Sequence, residues 1–287
     1  VYLAANDGTN GAELWKSDGT DAGTVMVKDI RTGSGNSSPI YYTNLNGILY
    51  FIADDGTTGY ELWKSNGTAL GTELVKDIRT GPTASTPTAL YVFNNNLYFR
   101  ADDGINGVEL WKSNGTAGGT DMLKDINPGV NASTPNFFMA VGNTLFFAAG
   151  DAANGNELWK TDGTAAGTVL VKDINTGTDP STPYDLINFN GTLYFRSNYP
   201  VQALWKSDGT GAGTVKMADA TVGGVSIQNV YAGATKLFVT YNGYKAGIPS
   251  TATGAEPWVS NGTDVGTVLL KDINTRNDNS NPFVFCK

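Results

Sequence analysis

Residues 40–78 read IYYTNLNGILYFIADDGTTGYELWKSNGTALGTELVKDI. Four short runs stand out: Ile40 to Leu45, Ile48 to Ala53, Tyr60 to Ser65 and Thr72 to Ile78. Each is rich in aromatic and β-branched residues, and Asn, Asp and Gly separate them, which is the chemistry of strands joined by turns. Asn46-Gly47, between the first two runs, tolerates positive φ and suits a tight hairpin. Leu49 to Ile52, and Leu145 to Ala148 further on, are apolar without alternation, as in sheets covered on both faces. No segment carries a sustained helical period.

Trp63 sits inside that stretch, and the chain repeats it. From Trp15 through Trp63, Trp111, Trp159 and Trp205 to Trp258, successive Trp lie 48, 48, 48, 46 and 53 residues apart. A fixed period of this length marks blades or solenoid units. Joining the termini adds an interval of 44, so the repeat closes on itself. The expectation is an all-β fold: one six-bladed β-propeller over residues 1–287, with four antiparallel strands per blade. Val1 to Ala5 matches Leu49 to Ala53, a second strand, and Pro282 to Cys286 matches Pro39 to Thr43, a first strand. The seam blade would combine residues 1–36 with 281–287 in a 3+1 closure, the C-terminal strand innermost, leaving no open edge. Because each blade must bury its faces against its neighbours, one domain is expected, with one Trp per blade in that packing.

Composition narrows the setting. The net charge of −8 is spread along the chain, and no basic stripe exists to neutralise phosphates, so nucleic acid is not an expected partner. No run of 18 apolar residues is present, so membrane insertion is not expected either. Cys286 is the only cysteine, which excludes an intramolecular disulfide and suits a secreted bacterial protein held by packing. The chain starts within a blade, so it reads as a mature or excised portion of a longer protein, with other domains as possible partners.

Glu-Leu-Trp-Lys-Ser-Asp-Gly-Thr-x-x-Gly-Thr recurs with small variations from Glu13, Glu61, Glu109 and Glu157. Val-Lys-Asp-Ile follows at Val27 to Ile30 and Val171 to Ile174. Across essentially the whole chain this unit resembles the bacterial ELWxxDGT repeat family. The resemblance implies a secreted or surface-anchored propeller, often within a larger adhesin-like protein, and no common activity. Ala203 replaces the Glu in the fifth unit, and Ala255-Glu256-Pro257-Trp258 replaces the usual run in the sixth.

Candidate sites divide into those the repeat explains and those it does not. The Asp-Gly-Thr or Asn-Gly-Thr steps at Asp18, Asn66, Asn114, Asp162, Asp208 and Asn261 exchange Asp for Asn freely, which suits a structural turn and not a catalytic carboxylate. The loop after the second strand carries Asp7, Asp55, Asp103 and Asp151, each followed six residues later by Glu13, Glu61, Glu109 or Glu157. Carboxylates in a Gly-rich turn are donors that Ca²⁺ uses, so these eight residues are candidate calcium ligands. No Asp-x-Asp-x-Asp-Gly ladder appears, and the competing reading is an Asx turn plus a Glu holding backbone or Lys. No cofactor is otherwise required. The Asn-x-Ser/Thr triplets at Asn36, Asn66, Asn114, Asn131, Asn190 and Asn261 read as turn residues. The repeated Lys-Asp pairs, Lys28-Asp29 to Lys271-Asp272, point to opposite faces of a strand and read as charges blunting an outer edge.

The chain contains no His, which excludes Ser-His-Asp and Cys-His catalysis and any His-ligated metal. The repeat breaks in one sector. Ser197-Asn198-Tyr199-Pro200 replaces an Asp-Gly loop, with Ser197 read as standing in place of the Asp, and Tyr241-Asn242-Gly243-Tyr244 opens a longer segment in the next unit. Loops on a rigid scaffold carry function, and exposed Tyr can stack on sugars or anchor peptides, making Tyr199, Tyr241 and Tyr244 the candidate ligand-binding residues. The leading expectation is a non-enzymatic extracellular binding or adhesion module whose partner is a surface glycan or protein. The alternative is a carbohydrate-active hydrolase or lyase using carboxylates and Tyr at one axial face.

Overall fold

The computed structural model describes residues 1–200, 202–219, 226–242, 255–263, 266–274 and 280. Among them the chain is all-β, in six antiparallel sheets of three or four strands, without an α-helix. Two compact units divide the sheets, residues 1–136 and 137–287.

In the first unit, β1 (Tyr2–Asn6), β2 (Ala12–Lys16) and β3 (Val25–Lys28) form a three-stranded sheet. A second sheet comprises β4 (Ile40–Leu45), β5 (Ile48–Asp54), β6 (Tyr60–Ser65) and β7 (Thr72–Lys76), and a third β8 (Thr88–Phe93), β9 (Asn96–Asp102), β10 (Val108–Ser113) and β11 (Thr120–Lys124). The second unit repeats this plan. Its sheets are β12 (Asn136–Val141), β13 (Thr144–Asp151), β14 (Gly155–Thr161) and β15 (Val169–Lys172); β16 (Tyr184–Phe189), β17 (Thr192–Ser197), β18 (Ala203–Ser207) and β19 (Val215–Asp219); and β20 (Ser226–Ala232), β21 (Leu237–Asn242), β22 (Ala255–Ser260) and β23 (Val268–Leu269). Each sheet is a meander in sequence order, and the four expected runs of residues 40–78 become strands within a residue or two. The expected seam strand, 282–286, lies outside the described residues, so the first sheet stands with three strands.

Sheets pack face on face through the repeated apolar positions. Leu14 and Val27 of the first sheet, with Ile30 just after it, bury against Leu49, Phe51, Ala53 and Trp63 of the second. Leu45, Tyr50, Ile52 and Leu62 of the second meet Leu97, Phe99 and Trp111 of the third. In the other unit Trp205 packs on the cluster of Phe146, Leu158 and Phe195, and Trp258 is buried among Phe189, Tyr194, Leu204 and Val239. The Trp thus faces the preceding sheet at Trp63, Trp111, Trp205 and Trp258. The fourth strand carries one extra residue opposite the Leu-Trp step, since Leu62 pairs with Lys76 but Trp63 with Leu74. That bulge turns the side chain of Val75 into the core.

The lysines have a different role from the one their sequence suggests. Lys28, Lys76 and Lys172 do not blunt a free edge: their Nζ atoms donate to the carbonyl oxygens of Thr72, Thr120 and Thr214 in the next sheet, at 2.7, 2.5 and 2.9 Å. Lys16, Lys64 and Lys160, after their Trp, likewise donate to Gly67, Gly115 and Gly209. Both lysines of these repeats bond successive sheets, because a four-carbon stem lets the ammonium reach past the packed faces to a backbone acceptor.

Candidate functional site

The Asx-Gly-Thr turns are self-contained. Asn66 Oδ1 accepts from the Thr68 N–H at 3.0 Å and from its hydroxyl at 2.7 Å. Thr68 Oγ1 accepts from the Gly71 N–H, and Thr72 Oγ1 donates to the Thr68 carbonyl. A Cβ on Gly71 would lie 2.1 Å from Asn66 Oδ1, so the second Gly of the motif admits no side chain. Asp18 and Asp208 make the same bonds, and hydrogen bonds from Thr20 and Thr210 hold their carboxyls below the usual range. Only one oxygen acceptor is needed, which is why Asp and Asn interchange.

The two acids considered for calcium are engaged by different donors. Asp55 Oδ1 takes the N–H and hydroxyl groups of Thr57 and Thr58. Asp7 takes Thr9 and Asn10, Asp103 takes Ile105 and Asn106, and Asp151 takes Ala153 and Asn154. Burial raises the carboxyls of Asp55 and Asp103, but the turn N–H groups outweigh it and the net shift is downward; at Asp7 the Asn10 N–H leads the lowering. The Glu partner of each pair points elsewhere. Glu61 is fully buried and accepts from the N–H groups of Ile78 (3.1 Å) and Ser85 (2.9 Å) and from the Ser85 hydroxyl (2.5 Å). Glu13, Glu109 and Glu157 hold Ile30 and Ser37, Ile126 and Ser133, and Ile174 and Ser181. Among the described residues no three Asp, Glu, Cys or His form a metal-holding group. Each Glu is a latch that fixes the segment leading to the next sheet.

The fifth sheet departs from this plan. Ala203 carries no carboxylate, and Gln202 takes over: its Oε1 accepts from the Ile227 N–H at 2.8 Å and its Nε2 donates to the Tyr184 hydroxyl at 2.9 Å. The nearly buried Arg196 donates to the Ile227 carbonyl and to Asp185, with its guanidinium 4.3 Å from the Tyr184 ring centroid. Ser197 does not stand in place of the loop Asp. It pairs with Ala203 as Ala53 pairs with Glu61, and it is Asn198 whose N–H reaches the Ser181 carbonyl as that of Asp54 reaches Ser37. Ser197 Oγ accepts from Trp205 Nε1 at 2.9 Å, whereas the indole N–H groups of Trp63 and Trp111 are buried without a protein acceptor among the described residues.

Tyr199 follows directly. Its N–H also reaches the Ser181 carbonyl, a cis peptide joins it to Pro200, and its side chain is 54% exposed. Tyr241 lies in β21, paired with Ile227, the same residue that Gln202 and Arg196 grip from the fifth sheet. The two candidate tyrosines thus belong to segments tied through one residue. Tyr244 lies outside the described residues.

The sequence reading passed over another aromatic group. Ile40, Tyr41 and Tyr42 are all exposed at the start of β4, and Phe137 is exposed at the matching position of β12. Ser/Thr-Pro precedes four of the first strands, at 38–39, 86–87, 134–135 and 182–183, and in two of them aromatics follow two and three residues after the Pro: Tyr41 and Tyr42, Phe137 and Phe138.

No protein-family model matches the chain, and no curated protein does. Solved structures do. The chain is similar to prolyl oligopeptidase B from Galerina marginata bound to a 35mer hydrolysis and macrocyclization substrate (12% identity, TM-score 0.57), with 95% of this chain and 41% of that one covered. It is also similar to a puromycin hydrolase (12%, TM-score 0.51, 93% and 44%) and to oligopeptidase B from Leishmania major (10%, TM-score 0.51, 96% and 38%). The matched region is under half of each of these longer proteins. At such identities the likeness establishes a propeller-like fold and nothing of activity.

Proposed function

We propose that the chain is a closed six-bladed β-propeller, sealed 3+1 by its C-terminal strand, and acts as a non-enzymatic extracellular binding or adhesion module for a glycan or protein. Six antiparallel sheets and propeller-like neighbours support the blade count. The resemblance to ELWxxDGT repeats supports the extracellular setting. The observation that carries the binding reading is the break in the repeat at the fifth sheet. There, Tyr199 is displayed to solvent on a backbone whose two successive N–H groups are pinned to Ser181. A rigid scaffold presenting an exposed aromatic loop is the usual construction of a recognition site. The carbohydrate-active hydrolase or lyase alternative needs free carboxylates, and the burial and bonding of Glu61, Glu109 and Glu157 favour binding over it.

A glycan array run with product analysis tests the reading. Retention without new reducing ends is expected, and Tyr199→Ala should weaken it by about tenfold, the worth of one stacked ring. Release of shortened product by the wild type would favour the hydrolase or lyase instead.

A further inference from the structure

The second residue of four successive first strands adopts left-handed backbone: Tyr41 (φ 57°), Ala89 (58°), Phe137 (56°) and Asp185 (50°). Three residues earlier Ser38, Thr86, Thr134 and Thr182 do the same, at φ 46° to 50°. For a bulky L-residue this conformation is costly, and Gly or Asn would relieve it. None of the four positions has Gly or Asn. The backbone frame is repeated while its occupants change from Tyr to Ala to Phe to Asp, the pattern of a fixed mount for a variable side chain.

The mount is best furnished at β4. Its pairing with β5 shifts register between Ile40 and Thr43, so Tyr41 falls at the irregularity and turns outward, 53% exposed. Tyr42 beside it is fixed: its ring lies 6.3 Å from Phe51 and its hydroxyl donates to the Pro39 carbonyl at 2.9 Å. Ile40 is also exposed. Ile40 pairs with Ile52, two residues before Asp54 and three before Asp55, so the aromatic pair stands at the sheet end that carries these carboxylates. Burial raises the Asp55 carboxyl, but the hydrogen bonds from Thr57 and Thr58 outweigh it and favour its ionised form.

We propose that Tyr41 and Tyr42 form a stacking platform for a neutral glycan, with Tyr41, in its left-handed mount, as the residue that sets specificity. Two adjacent rings, one immobilised and one presented, offer the flat apolar faces onto which sugar C–H groups stack. Asp54 at this end is paired with Arg31 at 2.6 Å, so Asp55 and the net charge of −8 are what oppose sulfated or uronic polymers. The inference rests on the binding reading above but uses other residues, remote in sequence from Tyr199.

Affinity electrophoresis tests it, with the whole chain run through gels containing neutral β-glucan, galactomannan or xylan, and alginate as the anionic arm. Wild type should be retarded by at least one neutral polymer and not by alginate. Tyr41→Gly should lower retardation by about fivefold or more, the loss of one stacking ring. It should also leave the melting temperature unchanged or raise it, because Gly relieves the φ. Tyr41→Asn, which also tolerates that φ, should behave alike. A purely structural Tyr41 would give the reverse, a lower melting temperature with intact retardation, and would overturn the proposal while leaving the binding reading in place. Retention abolished by Tyr199→Ala but untouched by Tyr41→Gly would do the same. No retardation of wild type by any neutral polymer, or retardation by alginate alone, would overturn the proposal; loss of array binding as well would remove the reading beneath it.

Discussion

Removing the Glu61 carboxylate is the perturbation that most directly probes the repeat. Glu61→Ala would leave the N–H groups of Ile78 and Ser85 and the Ser85 hydroxyl facing a cavity in a fully buried position. An orphaned buried donor costs about 1–3 kcal/mol, so three of them, partly relieved by entering water, should cost about 4 kcal/mol. The pH dependence is a second signature. Burial, the largest effect, pushes the carboxyl up to about 7 from its ordinary 4.5, with the Ser85, Ile78 and Arg79 donors pulling it back. Between those values the folded chain holds a proton the unfolded chain has released. Stability should therefore fall as pH rises through that window, by up to about 3 kcal/mol, and level off above it. The protonated acid keeps one acceptor oxygen and can donate to Ser85 Oγ, so the latch survives at low pH. Urea unfolding of wild type, Glu61→Ala and Glu61→Gln from pH 4.5 to 8 measures both effects, and both variants should lose the part of the slope due to Glu61. A cost under about 1 kcal/mol for the Ala variant, or wild-type stability rising from pH 5 to 7, would refute the latch as argued.

Three further outcomes follow from the packing and the bonds. Trp111→Ala should cost about 3–5 kcal/mol, because the ring is buried against Leu45, Tyr50 and Leu62 of the preceding sheet; denaturant midpoints check it, and a loss below about 1 kcal/mol would show the ring serves no interface. Ser197→Ala should cost about 1 kcal/mol, since it removes the acceptor of the Trp205 indole, with a matching shift in indole ¹⁵N–¹H resonance; an unchanged resonance would deny the bond. Millimolar Ca²⁺ should leave the melting temperature of chelator-treated protein unchanged, because Asp55 and Glu61 are each occupied by their own donors; a reversible rise would make the loops calcium sites after all.

The strands and turns were legible because their signals are local. Asn46-Gly47 marks a hairpin whatever surrounds it, and Gly71 is required by the turn it closes. The destinations of long polar side chains were not legible. Lys28 and Lys76 look like edge charges until the next sheet offers the carbonyls of Thr72 and Thr120, 44 residues away. Glu61 likewise shares a loop with Asp55 in sequence, yet its partner Ser85 lies 24 residues on. The loop after Ser197 is two residues shorter than the one after Ala53, so residue spacing puts Ser197 at the Asp position while strand register puts it at that of Ala53. Tyr41 escaped notice because its signal is a dihedral angle, which no residue type at that position announces.

Repetition and function pull apart in this chain for a physical reason. A residue that recurs in nearly every repeat, as Glu, Trp and both Lys do, is held constant by a neighbouring sheet that is itself nearly the same each time, so its chemistry is already committed to the scaffold. At positions 41, 89, 137 and 185 the backbone recurs while the side chain varies, and at Tyr199 the backbone itself departs from the repeat. The repeat does not dictate the side chain at these positions; Asp185 among them is held by Arg196 of its own sheet. The repeated loop Asp and strand Glu carboxylates, Asp55 and Glu61 among them, satisfy N–H groups within the fold. Tyr199 and Tyr41 present their rings to solvent, which directs the search for a ligand to the aromatic positions.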